Sequence, residues 1–111
     1  MRRVLPFLLS LPLLAIGFAL TAPDARAMGH VPAFEENCAS CHGAAGDADT
    51  PVGKAMKIPS FVGSELADME PDAICEKVRG IDKHGSVLKK ADEETLSAAC
   101  MRVKELAAAG S

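Results

Sequence analysis

Cys38-Ala39-Ser40-Cys41-His42 decides how this chain is read. Two thiols three positions apart can form thioethers to the two vinyl groups of one porphyrin. A histidine directly after the second thiol is then held under the iron as its proximal ligand. C-x-x-C-H is therefore the attachment signal of haem c, one haem per chain here. Gly43 follows, where a chain leaving the haem edge can take a positive φ.

The rest of the chain agrees with export and with covalent haem. Met1-Arg2-Arg3 is a short positive start. Residues 4–20 are apolar or small apart from Pro6, Ser10 and Pro12, and Ala25-Arg26-Ala27 reads as an A-x-A cleavage site. Residues 1–27 thus read as a secretory signal peptide cleaved after Ala27, and the periplasm is the expected compartment. The arginine pair is read as a generic positive start rather than a twin-arginine signal. The alternative is an uncleaved anchor, the one case in which a membrane would be a partner. An apolar run of about 17 residues is near the lower limit for a span, and its prolines weaken the helix. Haem c is attached outside the cytoplasm in bacteria, so the leader and the motif fit each other.

Residues 28–111 form one domain of 84 residues. A chain this short builds a marginal core and needs a staple, which a large apolar haem plate supplies. The full chain carries 12 basic and 15 acidic residues; without Arg2, Arg3, Arg26 and Asp24 it carries 9 and 14, a net charge of −5. That is no footprint for nucleic acid, which calls for basic patches, and there is no Trp or Tyr to stack on bases. The acidic balance favours redox partners with a basic docking face. Glu35, Glu36, Asp47 and Asp49 lie near the motif and are the candidates to steer them; an ordinary solvated surface is the plainer reading. A monomer is expected.

The patterning predicts an all-α domain. A first helix is predicted over 31–41, with Pro32 tolerated in its first turn and Phe34 and Cys38 on one face. Residues 43–64 hold Gly43, Gly46, Pro51, Gly53, Pro59 and Gly63, and read as an irregular loop with one helical turn around 54–56. Glu70-Pro71-Asp72 starts a second helix that runs to Arg79 and stops at Gly80. Residues 82–90 read as another loop. Asp92-Glu93-Glu94 opens the last helix, with its acids at the positive end of the dipole and Leu96, Ala99, Cys100, Val103 and Leu106 as its apolar stripe. No segment alternates like a strand.

On these residues the chain resembles the class I c-type cytochromes, in the small bacterial monohaem style, over nearly all of residues 30–108. Phe34 matches the aromatic of the family's N-terminal helix, and Cys38, Cys41 and His42 match its attachment site. Thr50-Pro51-Val52-Gly53-Lys54 is similar to the loop after the motif. Ile58-Pro59-Ser60-Phe61 is similar to the proline turn along the haem edge, which makes Pro59 and Phe34 expected haem contacts. The resemblance implies the cytochrome c fold, three main helices wrapped around one haem, and an electron carrier rather than an enzyme.

Two departures stand out. The family's last helix carries an aromatic near Arg102, and here there is none, so the crossing of first and last helices is expected to rest on Ala99, Val103 and Leu106. The loop that holds the family's methionine ligand contains no methionine over 81–90, but it does contain His84. His84 is the first candidate for the sixth iron ligand, since imidazole suits iron; an exposed loop histidine is its plain alternative. Met56 in the haem-edge loop is the competitor. Met69 is a weaker candidate, Met101 is read as core or surface, and His30 as solvent-exposed. An open sixth position would make the protein a gas-binding haem sensor or buffer instead. In every case His42 is expected to donate its free N–H to a backbone carbonyl, with the 50–53 loop the candidate.

Cys75 and Cys100 remain after haem takes its pair. An even remainder in an oxidising compartment reads as a disulfide, closing a loop of about 25 residues and adding roughly 3–4 kcal/mol. Two buried thiols, or a redox-active pair, are the alternatives. A thioredoxin-like site would need a βαβ context, and a zinc site four closely spaced ligands; the sequence offers neither.

Overall fold

The computed structural model describes residues 25–110 and, apart from these, Gly17. The leader expected at 1–27 lies outside the described residues except for the backbone of 25–27. The described residues contain helices and turns and no strand, so the chain is all-α. Six α-helices follow in order: α1 (Ala25–Asn37), α2 (Ala39–His42), α3 (Pro51–Ala55), α4 (Pro71–Arg79), α5 (Gly85–Lys90) and α6 (Glu93–Ala108). Two 3₁₀ turns, Glu65–Asp68 and Asp82–His84, lie before α4 and before α5.

The helix ends follow local chemistry. Asp92 caps α6 by accepting the Thr95 N–H at 2.8 Å, with Glu93 and Glu94 in the first turn. Pro71 occupies the first turn of α4, where its missing N–H costs nothing. Thr50 caps α3: its Oγ1 accepts the Gly53 N–H at 2.8 Å and donates to the Cys41 carbonyl at 2.7 Å. One side chain thus ties the loop to the C-x-x-C-H segment.

Three boundaries differ from the sequence reading. The first helix is not a single 31–41 element. It reaches back to Ala25, so Pro32 lies in its interior, where it cannot donate to the carbonyl one turn earlier. It ends at Asn37, and Cys38, at φ −124°, separates it from α2. Second, residues 82–90 are not a loop but a 3₁₀ turn running straight into α5. Gly85 takes ordinary helical angles there, and Val87 accepts the Ala91 N–H at 2.8 Å. Third, residues 65–68 form a turn capped by Ser64, which had no signal of its own.

α6 is the central element, packing against α1, against α4 and against the Glu65–Asp68 turn. The core comprises Phe34 from α1, Ile74 and Cys75 from α4, Leu96, Cys100, Val103, Leu106 and Ala107 from α6, and Phe61 from the loop. Burying side chains of this size stabilises by about 1.5–3 kcal/mol each. α6 carries no aromatic, and Phe34 meets the ring of Phe61 edge-to-face at 6.0 Å and 89°. Gly46 makes this possible: its φ is +76°, and a Cβ there would collide with the Phe61 ring.

Candidate functional site

The C-x-x-C-H segment forms the Cys38 cap and the single turn of α2, which places its side chains on one wall of a cavity of about 350 Å³. Cys38, Cys41 and His42 line that wall, with Phe34 behind them, and His84, Val78 and Cys100 belong to the lining as well. A second cavity of about 490 Å³ opens from the same place, sharing His42, His84, Met56, Phe61 and Ile81 and bounded outward by Pro59 and Lys57. Together these volumes are in the range of cofactor pockets.

Cys38 and Cys41 are free and half-buried. Burial, and then the neighbouring Cys41, push the Cys38 thiol up to about 11. The imidazole of His42 is held below its ordinary pKa by burial first and by the charge of His84 second. A neutral ring with a free lone pair is the form that binds a metal.

His42 and His84 face one another at 6.1 Å between ring centres, with their planes 50° apart. Two imidazoles on opposite sides of one metal ion, each at about 2 Å, place their ring centres roughly 6 Å apart. His84 is half-buried, and its Nδ1 lies 2.8 Å from the Val78 carbonyl. A carbonyl can only accept, so in the neutral ring Nδ1 carries the proton and Nε2 keeps its lone pair free. The ring of Phe61 lies 5.5 Å from that of His42 and braces it.

The expected carbonyl partner of His42 is not found. Its Nδ1 is buried without a hydrogen-bond partner among the described residues, and the carbonyls of Thr50, Val52 and Gly53 accept from Lys54, Met56 and Ile58 instead. His30 is another correction. Its ring is largely buried rather than solvent-exposed, and Nδ1 donates to Glu105 at 2.8 Å, joining α1 to α6.

The other candidates fall into two groups. Phe34, Pro59 and Met56 line the cavities as their positions implied, though Met56 is 44 % exposed. Met69 and Met101 line neither; Met69 packs on the core and its carbonyl accepts from Lys104 at 2.7 Å. Cys75 and Cys100 have their sulfurs 2.03 Å apart, at bonding distance, with Cα atoms 5.7 Å apart, and so join α4 to α6. The acidic residues Glu35, Glu36, Asp47 and Asp49 are exposed and line neither cavity, and Asp49 is paired with Lys54 at 2.7 Å. Lys57 and Lys83 line the outer cavity instead.

Sequence reading missed Phe61, Val78 and Ile81 as site residues. Phe61 closes the turn that holds Pro59, and Val78 lies four residues after Ile74 on one helix face; neither pattern says which residue meets a histidine.

The donor set fits haem. Two thiols and an adjacent imidazole line the cavity, and a second imidazole faces the first across an apolar space. Among the described residues no group of three or more His, Cys, Asp or Glu side chains is arranged to enclose a bare metal ion. No helix among them is long and apolar enough to cross a membrane. Comparison with protein-family models, curated proteins and solved structures gives no match.

Proposed function

We propose that the chain is an exported monohaem c-type cytochrome of the class I kind, an electron carrier whose iron is held by His42 and His84. The observation that carries this reading is the pair of imidazoles facing across one apolar cavity, with Cys38 and Cys41 on the His42 side.

Bound haem supplies a one-electron iron couple and a large apolar surface for the core. The chain's own residues do the rest. Cys38 and Cys41 would hold the porphyrin through thioethers. His42, its ring steadied by Phe61, would ligate the iron. His84 would offer Nε2 as the second imidazole, because its other nitrogen is committed to Val78. Ile58, Leu66 and Ile81 give the cavity apolar walls. Both rings are braced before any change of charge, so the protein has little to rearrange when an electron arrives. Two imidazole ligands hold the potential below that of a methionine-ligated site. The partner is another redox protein, and the place of work is the periplasm.

The test is the visible spectrum of chain matured with haem in an exporting host, ferric and ferrous, with and without carbon monoxide. The expected result is one covalent haem, low-spin in both states and indifferent to carbon monoxide. Absence of covalent haem refutes the cofactor. A high-spin ferrous form that takes up carbon monoxide at once refutes the His84 ligand and favours the gas-binding reading.

A further inference from the structure

His84 stands on a short segment between α4 and α6, and what fixes its ring is a hydrogen bond to the end of α4. The acceptor, Val78 O, lies three residues beyond Cys75, and Cys75 is bonded to Cys100 on α6. Val78 and Cys100 line the same cavity as both histidines. A continuous physical path therefore runs from α6 through the disulfide to α4, from Val78 O to His84 Nδ1, and on to the free Nε2.

Beside the packing of Ile74 and Val78 on the core, the polar ties at this place are weak. Arg79 reaches Glu93 at 2.6 Å, but Glu93 is 85 % exposed and such a pair contributes little. α4 has nine residues, too few to hold its geometry without tertiary support. The distal segment itself begins at Gly80 and contains Gly85.

We propose that the Cys75–Cys100 disulfide is a positioning element for the sixth ligand, beyond any contribution to stability: with the bond broken, the folded protein loses its hold on His84 and its distal face opens to exogenous ligands. The inference rests on the haem reading above. The bond breaks when a dithiol gives it two electrons and two protons, yielding two thiols while the dithiol becomes its own disulfide.

The experiment measures carbon monoxide binding rates to the ferrous holoprotein. Wild type, His84→Ala and the double variant Cys75→Ala/Cys100→Ala are compared at a temperature where their far-ultraviolet dichroism agrees. Wild-type holoprotein treated with dithiothreitol and alkylated serves as a second perturbation should the double variant not fold. The expected result is a fast His84→Ala and a double variant accelerated by about tenfold or more, coupling of this kind being typically 5–150-fold. A folded double variant within about twofold of wild type, beside a fast His84→Ala, overturns the proposal and leaves the haem reading standing. His84→Ala no faster than wild type removes His84 as ligand and overturns the proposal, while the covalent haem itself stands. Unfolding of both disulfide-free forms also counts against it, since the bond would then be required by the fold and not by the ligand.

Discussion

Replacing Gly46 by alanine should weaken the whole site from a position that touches neither histidine. Gly46 sits at φ +76°, where a side chain costs about 1–2 kcal/mol. Its added Cβ would also press into the Phe61 ring, which is pinned between Phe34 and His42. Overpacking of a rigid core adds about 1–3 kcal/mol. The sum is about 2–5 kcal/mol, and at roughly 4–8 °C per kcal/mol for a domain of this size the melting temperature should fall by roughly 8–40 °C. Thermal unfolding of the holoprotein, followed by dichroism at 222 nm, gives the shift. Phe61→Leu removes the struck atoms, so the double variant Gly46→Ala/Phe61→Leu should recover roughly 1–3 kcal/mol of coupling and leave the backbone cost in place. A Gly46→Ala protein within about 0.5 kcal/mol of wild type, or no coupling to Phe61→Leu, would refute the packing argument.

Three further outcomes are expected. Thr50→Val removes both the α3 cap and the bond to Cys41 O, and should cost about 1–2 kcal/mol in denaturant titration. Glu105→Gln tests the α1–α6 clip. Burial works to raise the Glu105 pKa, but hydrogen bonds from His30 and Arg102 outweigh it and hold the carboxyl below its ordinary value. A depressed carboxylate contributes stability that is complete above the unfolded pKa of about 4.3 and is lost as pH falls through the folded value. The variant should therefore be less stable at neutral pH, by no more than about 1 kcal/mol for so exposed a group, and the two melting curves should converge below about pH 4. Arg79→Gln breaks the contacts to Glu76 and Glu93; it should cost no more than about 1 kcal/mol, with the difference shrinking in high salt.

α4 and α6 were legible because their ends are written in local chemistry, Pro71 at one start and Asp92 at the other. The C-x-x-C-H wall was legible for the same reason, since adjacent residues on one turn cannot be far apart. His84 stands in the loop where the resemblance expects the methionine ligand, and it lies across from His42. Other features needed distant partners. α5 spans six residues and begins with glycine, too short for periodicity to separate it from a loop. The break at Cys38 is one residue of backbone rotation inside an otherwise helical pattern. Phe61 reaches Phe34 because Gly46 clears space for it, a relation between positions fifteen apart that no window reveals. His30 looked solvent-exposed because its carboxylate partner lies 75 residues away.

Phe61 anchors the otherwise exposed segment after the motif to the interior. Surface loops ordinarily accept insertions and open early. Here the Phe61 N–H is bonded to Gly46 O at 3.1 Å, and Gly63 N–H to Ala107 O on α6 at 2.8 Å. Those two amides should exchange with solvent only when the helices themselves separate, at the slow rate of global opening. A residue added between 46 and 61 would draw Phe61 out of register with the Phe34 ring. The stretch that looks most like a connector is therefore among the least free to lengthen.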